Sequence, residues 1–187
     1  MADEPPPDPP APATEAPAPP PRKNRLTPAE ELVAKAADFR WPVGDDTLDA
    51  MTLPYHEAGH TIVGLALQRR LNYVSIEPGD QMSDFEAIEG TDRASVERWI
   101  KTALGGPMAE QRQFGVSWGS KVDLASIRDE IAKNLPGVEE LGFVSQISKD
   151  VARLLEIHQE ALHTLARELS LEKRLTGDDV TKLVTIE

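Results

Sequence analysis

Cysteine is missing from the whole chain. Its absence excludes disulfides and thiolate metal sites, so any bound metal must be held by histidine and carboxylate. Basic residues are scarce: 20 Lys and Arg stand against 32 Asp and Glu, a formal net charge of -12. They gather only in short pieces such as Arg22-Lys23-Asn24-Arg25. Binding to a phosphate backbone needs a basic face, so nucleic acid is not the expected partner. Long apolar runs are lacking as well, and none approaches the roughly 20 residues that span a bilayer. The N-terminus opens Met-Ala-Asp-Glu, with neither the basic n-region nor the apolar h-region of an export signal. The expectation is a soluble, cytoplasmic protein with no membrane contact.

Ten of the 16 prolines lie within the first 21 residues. Between the initiator Met and Leu26 there is nothing large and apolar. Such a segment cannot bury enough surface to offset its ordering entropy, so residues 1–26 read as a disordered Pro/Ala-rich tail. The plain role for it is a spacer; a docking motif for a partner protein is the sharper one. The rest of the chain, 27–187, is long enough for one domain with a real core.

Thr27-Pro28-Ala29-Glu30 is a capping box with proline at the first helical position, predicting a short helix to about Ala37. Pro54 is placed to begin a second helix reaching about Arg69. Its apolar residues run nearly all round, the pattern of a buried helix. Asn72 to Glu77 alternates as a strand, Pro78-Gly79-Asp80 turns it, and Asp84 to Ile88 reads as a second short strand. Val96, Trp99, Ile100, Ala103 and Leu104 mark an amphipathic helix to about Phe114. Leu124, Ile127 and Ile131 mark the next, ending near Pro136. One apolar stripe from Ile147 to Leu165 predicts a single long helix, and a short one starts at Thr176 to Asp179. The expected fold is mainly α with a small β-sheet.

The second helix carries His56-Glu57-Ala58-Gly59-His60. Histidines four apart on a helix point the same way, one turn above the other, and can reach one tetrahedral zinc ion. Glu57 borders the same side and suits the general-base role of this motif. Two surface histidines meeting by chance is the bland reading. A helix buried on most sides argues against it, because ionisable groups there need partners. Gly59 disfavours a helix interior by about 1 kcal/mol, so it should admit a close neighbour.

A catalytic zinc needs a third protein ligand and an open fourth position. A metzincin-type third histidine is closed off, since Val63 and Ala66 stand where glycine and histidine would be required. His158 lies on the long helix's apolar stripe and His163 off it, so they read as a core and a surface histidine. A carboxylate must therefore complete the site, and Asp123 and Glu110 are the candidates.

Several separated segments together resemble the zinc peptidase domain of FtsH-type proteases. They are the HEAGH helix, Val74-Ser75-Ile76-Glu77-Pro78, Leu104-Gly105-Gly106-Pro107-Met108-Ala109-Glu110, Phe114-Gly115 and Gly119-Ser120-Lys121-Val122-Asp123-Leu124. A closing helix-turn-helix from about Leu171 to Leu183 completes the order, and the likeness covers roughly residues 50–185. It implies a zincin-like helical peptidase domain in which Asp123 is the third zinc ligand. It also implies that Glu110 stands beside the site and could orient a ligand. The chain departs from the family at Pro107, where arginine is usual, and in Ser120-Lys121-Val122-Asp123. The region between Pro78 and Thr91 is also shorter and more acidic. No G-x-x-x-x-G-K-[ST] loop occurs, so the peptidase part is expected to stand alone, without the ATPase and transmembrane parts.

The resulting expectation is an ATP-independent zinc metallopeptidase acting on peptides or unfolded proteins. His56, His60 and Asp123 would hold the metal, and Glu57 would be the base. Substrate would add to a sheet edge near Tyr73, Val74, Ser75 and Ile76, or near Asp84 to Ile88. Two other readings stay open: a zinc-binding regulatory or interaction module, and a peptidase subunit that borrows a separate unfoldase.

Overall fold

The computed structural model describes residues 45–117 and 120–186. The tail at 1–26 and the short helix predicted from Thr27 lie outside the described residues. The described chain is mainly helical with one small antiparallel sheet. The elements are α1 (Asp45–Ala66), β1 (Leu71–Glu77), β2 (Asp80–Phe85), α2 (Arg93–Phe114), α3 (Ser120–Asn134), α4 (Glu140–Ile157), α5 (Gln159–Glu172), β3 (Arg174–Thr176) and α6 (Gly177–Leu183). Among the described residues, no helix is long and apolar enough to cross a membrane.

Helix α1 is the centre of the fold. It touches α2, α5, α4 and both strands of the hairpin, and every residue from His56 to Gly64 is buried. It begins at Asp45, so Pro54 lies inside it and not at its start. Proline favours the first helical turn, but tertiary packing can carry one in the interior, where the missing N–H disfavours the helix by about 3 kcal/mol. The helix ends at Ala66 in a Schellman closure. Gln68 takes a left-handed φ of 59°, Arg69 N–H donates to Gly64 O at 2.9 Å, and Gln68 N–H donates to Leu65 O at 2.8 Å.

Gly59 meets Gly105 where α1 crosses α2. A Cβ on Gly59 would overlap the Gly105 carbonyl and stand 2.5 Å from Ala109 Cβ. A Cβ on Gly105 would overlap the Gly59 carbonyl in return. The two backbones therefore touch, which is the close approach that Gly59 implied. Asp92 caps α2, its carboxylate accepting from the amides of Ala94 and Ser95, and Gly115 closes the other end at φ 76°.

The single long helix predicted over Ile147 to Leu165 is two helices, broken at His158 with φ -102° and ψ 28°. Backbone bonds four residues apart continue through the break, from His158 to Leu154 and from Leu162 to His158, which is why the apolar stripe runs on unbroken. The bend lets α4 pack on α2 and α5 on α1.

The sheet order is β2-β1-β3. Pro78 and Gly79 form a two-residue turn closed by Glu77 opposite Asp80, so Asp80 belongs to the strand. The second strand thus runs Asp80–Phe85 and not from Asp84 to Ile88. The three-residue β3 pairs Tyr73 with Thr176, Val74 with Leu175 and Ser75 with Arg174. Such a short strand carries no alternation signal of its own. Its pairing makes β1 the central strand, so Tyr73, Val74, Ser75 and Ile76 have neighbours on both sides and present no edge to a substrate. The outer strand beside α1 is β2.

Replacing Gly105 with alanine should lower stability by roughly 1–3 kcal/mol, the usual effect of overpacking, although alanine is the better helix former. Urea unfolding would show a lower midpoint. An unchanged or higher midpoint would mean that the helices can part at no penalty.

Candidate metal centre

Histidines 56 and 60 project from adjacent turns of α1 toward α2 and α3. Their Nε2 atoms lie 2.9 Å apart. Asp123, in the first turn of α3, brings Oδ2 to 3.1 Å from His56 Nε2 and Oδ1 to 3.6 Å from His60 Nε2. One donor atom from each of the three falls within 4.8 Å of the others, a grouping that could hold a metal ion.

The far side of each ring is also held. His56 Nδ1 lies 3.0 Å from Glu110 Oε1, and His60 Nδ1 lies 2.8 Å from the Thr102 carbonyl. A carboxylate and a carbonyl only accept, so His56 Nδ1 donates to Glu110, and His60 Nδ1 donates to the Thr102 carbonyl, the shorter of its contacts, with the Gly106 amide 3.2 Å from the same nitrogen. In the neutral rings this leaves both Nε2 lone pairs facing each other across 2.9 Å, an arrangement that repels unless a cation stands between them. Ser117 Oγ donates to Glu110 Oε2 at 3.0 Å, so a nearly fully buried carboxylate is satisfied at both oxygens.

Burial pulls the His56 imidazolium down, but hydrogen bonds to Asp123 and Glu110, with their charges, outweigh burial and raise its pKa to about 10. Two imidazoles, one carboxylate and an open side fit the donor set of a catalytic zinc. Room for it comes from Gly106, where a Cβ would stand 2.8 Å from His56 Nε2 and 2.8 Å from His60 Cδ2.

Glu57 is buried on the floor of the same cleft, whose volume is about 570 Å³. Its Oε2 accepts from Ser83 Oγ at 2.9 Å. Ser83 Oγ also lies 2.9 Å from the Glu57 carbonyl and 3.0 Å from Thr61 Oγ1. The outer strand β2 therefore holds the carboxylate from across the cleft. His158 and His163 stay outside the cluster. His158 is buried at the junction of α4 and α5, while His163 shares hydrogen bonds with the Tyr55 hydroxyl at 3.0 Å and Gln159 at 3.2 Å.

Sequence reasoning placed His56, Glu57, His60, Asp123 and Glu110 in one neighbourhood, and the fold brings all five together. It missed Ser83, Ser117 and the Thr102 carbonyl. The first depends on hairpin register and the third is a backbone atom that any residue would supply. Ser117 lies just before the Gly119 to Leu124 segment, which alone hinted at a site there.

No family model matches the chain. Over 149 residues it is 30% identical to the ATP-dependent zinc metalloprotease FtsH of Chloroflexus aggregans, covering 73% of this chain and 22% of that protein. Over 169 residues it is 28% identical to the ATP-dependent zinc metalloprotease FTSH 9, chloroplastic/mitochondrial, of Oryza sativa subsp. japonica, covering 70% of this chain and 21% of that protein. The chain thus spans about a fifth of the length of the curated relatives it matches. The similarity supports an FtsH-like peptidase domain.

Two substitutions test the centre. Asp123→Ala should abolish tight zinc binding, and Glu110→Gln, which removes charge but keeps shape, should weaken it about 10-fold or more. Competition against a chromophoric chelator reads both. Zinc affinity unaltered in Glu110→Gln would show that the Glu110 charge does not support His56.

Proposed function

We propose that the domain hydrolyses peptide bonds in peptides or unfolded polypeptides, using zinc held by His56, His60 and Asp123. The observation that carries this reading is the convergence of those three donors beside a buried, separately held Glu57. Bound there, zinc would supply a Lewis acid that acidifies water and polarises a carbonyl.

The residues divide the remaining work. Glu110 and the Thr102 carbonyl hold the imidazole protons on Nδ1 and turn both Nε2 atoms into the cleft. Ser83 occupies Glu57 Oε2, which leaves Oε1 to take a proton from the attacking water and return it to the leaving amine. An extended substrate would lie along β2, the outer strand lining the cleft, gaining backbone hydrogen bonds there. Peptide hydrolysis is downhill in water, and the groups named suffice for it, so cleavage of an already unfolded chain would need no ATP. Folded substrates would need a separate unfolding activity. The Pro/Ala-rich tail would serve as a spacer or as a tether to a partner protein.

The deciding experiment is casein hydrolysis without ATP, comparing the natural sequence with Glu57→Gln. The variant should keep its zinc and lose at least ~10²-fold in rate, and a chelator should stop the natural protein. Equal rates in the two would sink the assignment of Glu57. Ser83→Ala should lower kcat on the order of 10-fold, through one hydrogen bond to a charged group, with zinc content unchanged. A kcat equal to that of the natural protein would show that Glu57 needs no support from the strand.

A further inference from the structure

The cleft that holds His56, His60 and Asp123 is otherwise lined by acidic and neutral side chains and, among the described residues, by one permanent cation, Arg69. Its backbone is pinned, because Arg69 N–H closes the end of α1 on Gly64 O. Its guanidinium lies over Phe85 at 4.4 Å from the ring centroid. That ring is itself fixed against Gly64, where a Cβ would overlap it. Arg69 is therefore held in place at both ends.

What it lacks, among the described residues, is a counter-charge. Its Nη2 donates only a long 3.3 Å bond to the Glu86 carbonyl, and its Nε is sealed from solvent without a partner. The nearby carboxylates are engaged elsewhere: Asp84 accepts from Asn72, and Glu86 pairs with Arg70. Burial, together with the like charge of Arg98, lowers the Arg69 pKa below its ordinary value. In a chain with 32 acidic and 20 basic residues, an arginine beside another arginine and, among the described residues, without a carboxylate partner runs against the average. A partly buried charge is disfavoured until it is paired, so a carboxylate arriving in the cleft would be bound there with little to displace.

The strand gives the distance. Ser83, which holds Glu57, and Phe85, which carries Arg69, are two apart on β2 and share a face. Two residues of strand cover about 6.6–6.8 Å. A substrate extended along β2 would pass Arg69 about two residues from the point where Glu57 acts.

We propose that Arg69 is a specificity residue that binds a carboxylate of the substrate, carried by an Asp or Glu side chain or by the chain's C-terminus. This rests on the peptide-binding role of the cleft proposed above and names the substrate class. It gives the cleft a local preference opposite to the overall negative charge of the protein.

Binding and cleavage can be read apart. The full-length chain carrying Glu57→Gln, loaded with zinc, is titrated against fluorescent decapeptides and followed by anisotropy. One set walks a single Glu through a neutral, C-terminally amidated sequence; a second replaces that Glu by Gln; a third keeps Gln and frees the C-terminus. At least one carboxylate peptide should bind roughly tenfold tighter than its neutral amide, and the set it comes from identifies the source. The preference should vanish on adding Arg69→Gln and survive on adding Arg69→Lys, with thermal melts confirming that both remain folded. Equal binding of all sets, no binding of any, or a preference that survives Arg69→Gln would overturn the proposal. Hydrolysis of the same peptides by the natural sequence reports on the peptidase reading alone. A preference in binding without cleavage would leave Arg69 in its role and remove the enzymatic one.

Discussion

The contact between Gly59 and Gly105 sets everything else in the site. Because neither residue has a Cβ, α1 and α2 approach until their backbones touch. That separation lets the Thr102 carbonyl reach His60 and the Glu110 carboxylate reach His56. One further glycine, Gly106, keeps the space in front of both rings clear. A wider crossing would leave each Nδ1 proton without its acceptor, and the rings would be free to turn. Helix packing and ligand orientation are thus one arrangement, and a sequence that meets the first largely meets the second.

The electrostatics follow from this burial. Two imidazoles and the carboxylates of Glu110 and Glu57 are buried together, with the partly exposed Asp123 beside them. Such a set is stable only with positive charge among its members. A proton on His56 can provide it, and so can a divalent cation, which neutralises more and satisfies both Nε2 lone pairs together. Glu57 stands apart from that exchange because its partner is a neutral hydroxyl from another element. The separation keeps the Glu57 carboxylate apart from the grouping of His56, His60 and Asp123.

The hairpin connects this chemistry to the open side of the cleft. Its two-residue turn fixes the register of β2 on β1, and the register decides which side chains of β2 face α1. Ser83 thereby meets Glu57, and Phe85 meets both Gly64 and Arg69. Shifting the strand by one residue would turn both away. One short, polar strand therefore holds Glu57, packs beneath Arg69 and forms an outer edge of the sheet.

The sequence by itself determined what is local and periodic. His56, Glu57 and His60 share a helix, so their common direction follows from spacing alone, and the absence of cysteine left carboxylates to complete the set. The amphipathic stripes of α2 and α3 were legible for the same reason, and resemblance to a known family pointed to Asp123 and Glu110. Only the tertiary structure decided the rest. The three-residue β3 is too short to show a pattern, yet its pairing turns β1 into an interior strand and leaves β2 as the outer strand beside α1. The bend at His158 keeps the hydrogen bonding of a continuous helix, so the stripe conceals it. The Thr102 carbonyl, Ser83 and Arg69 act through distances set by how α1, α2 and β2 pack, and no spacing along the chain encodes a distance between elements.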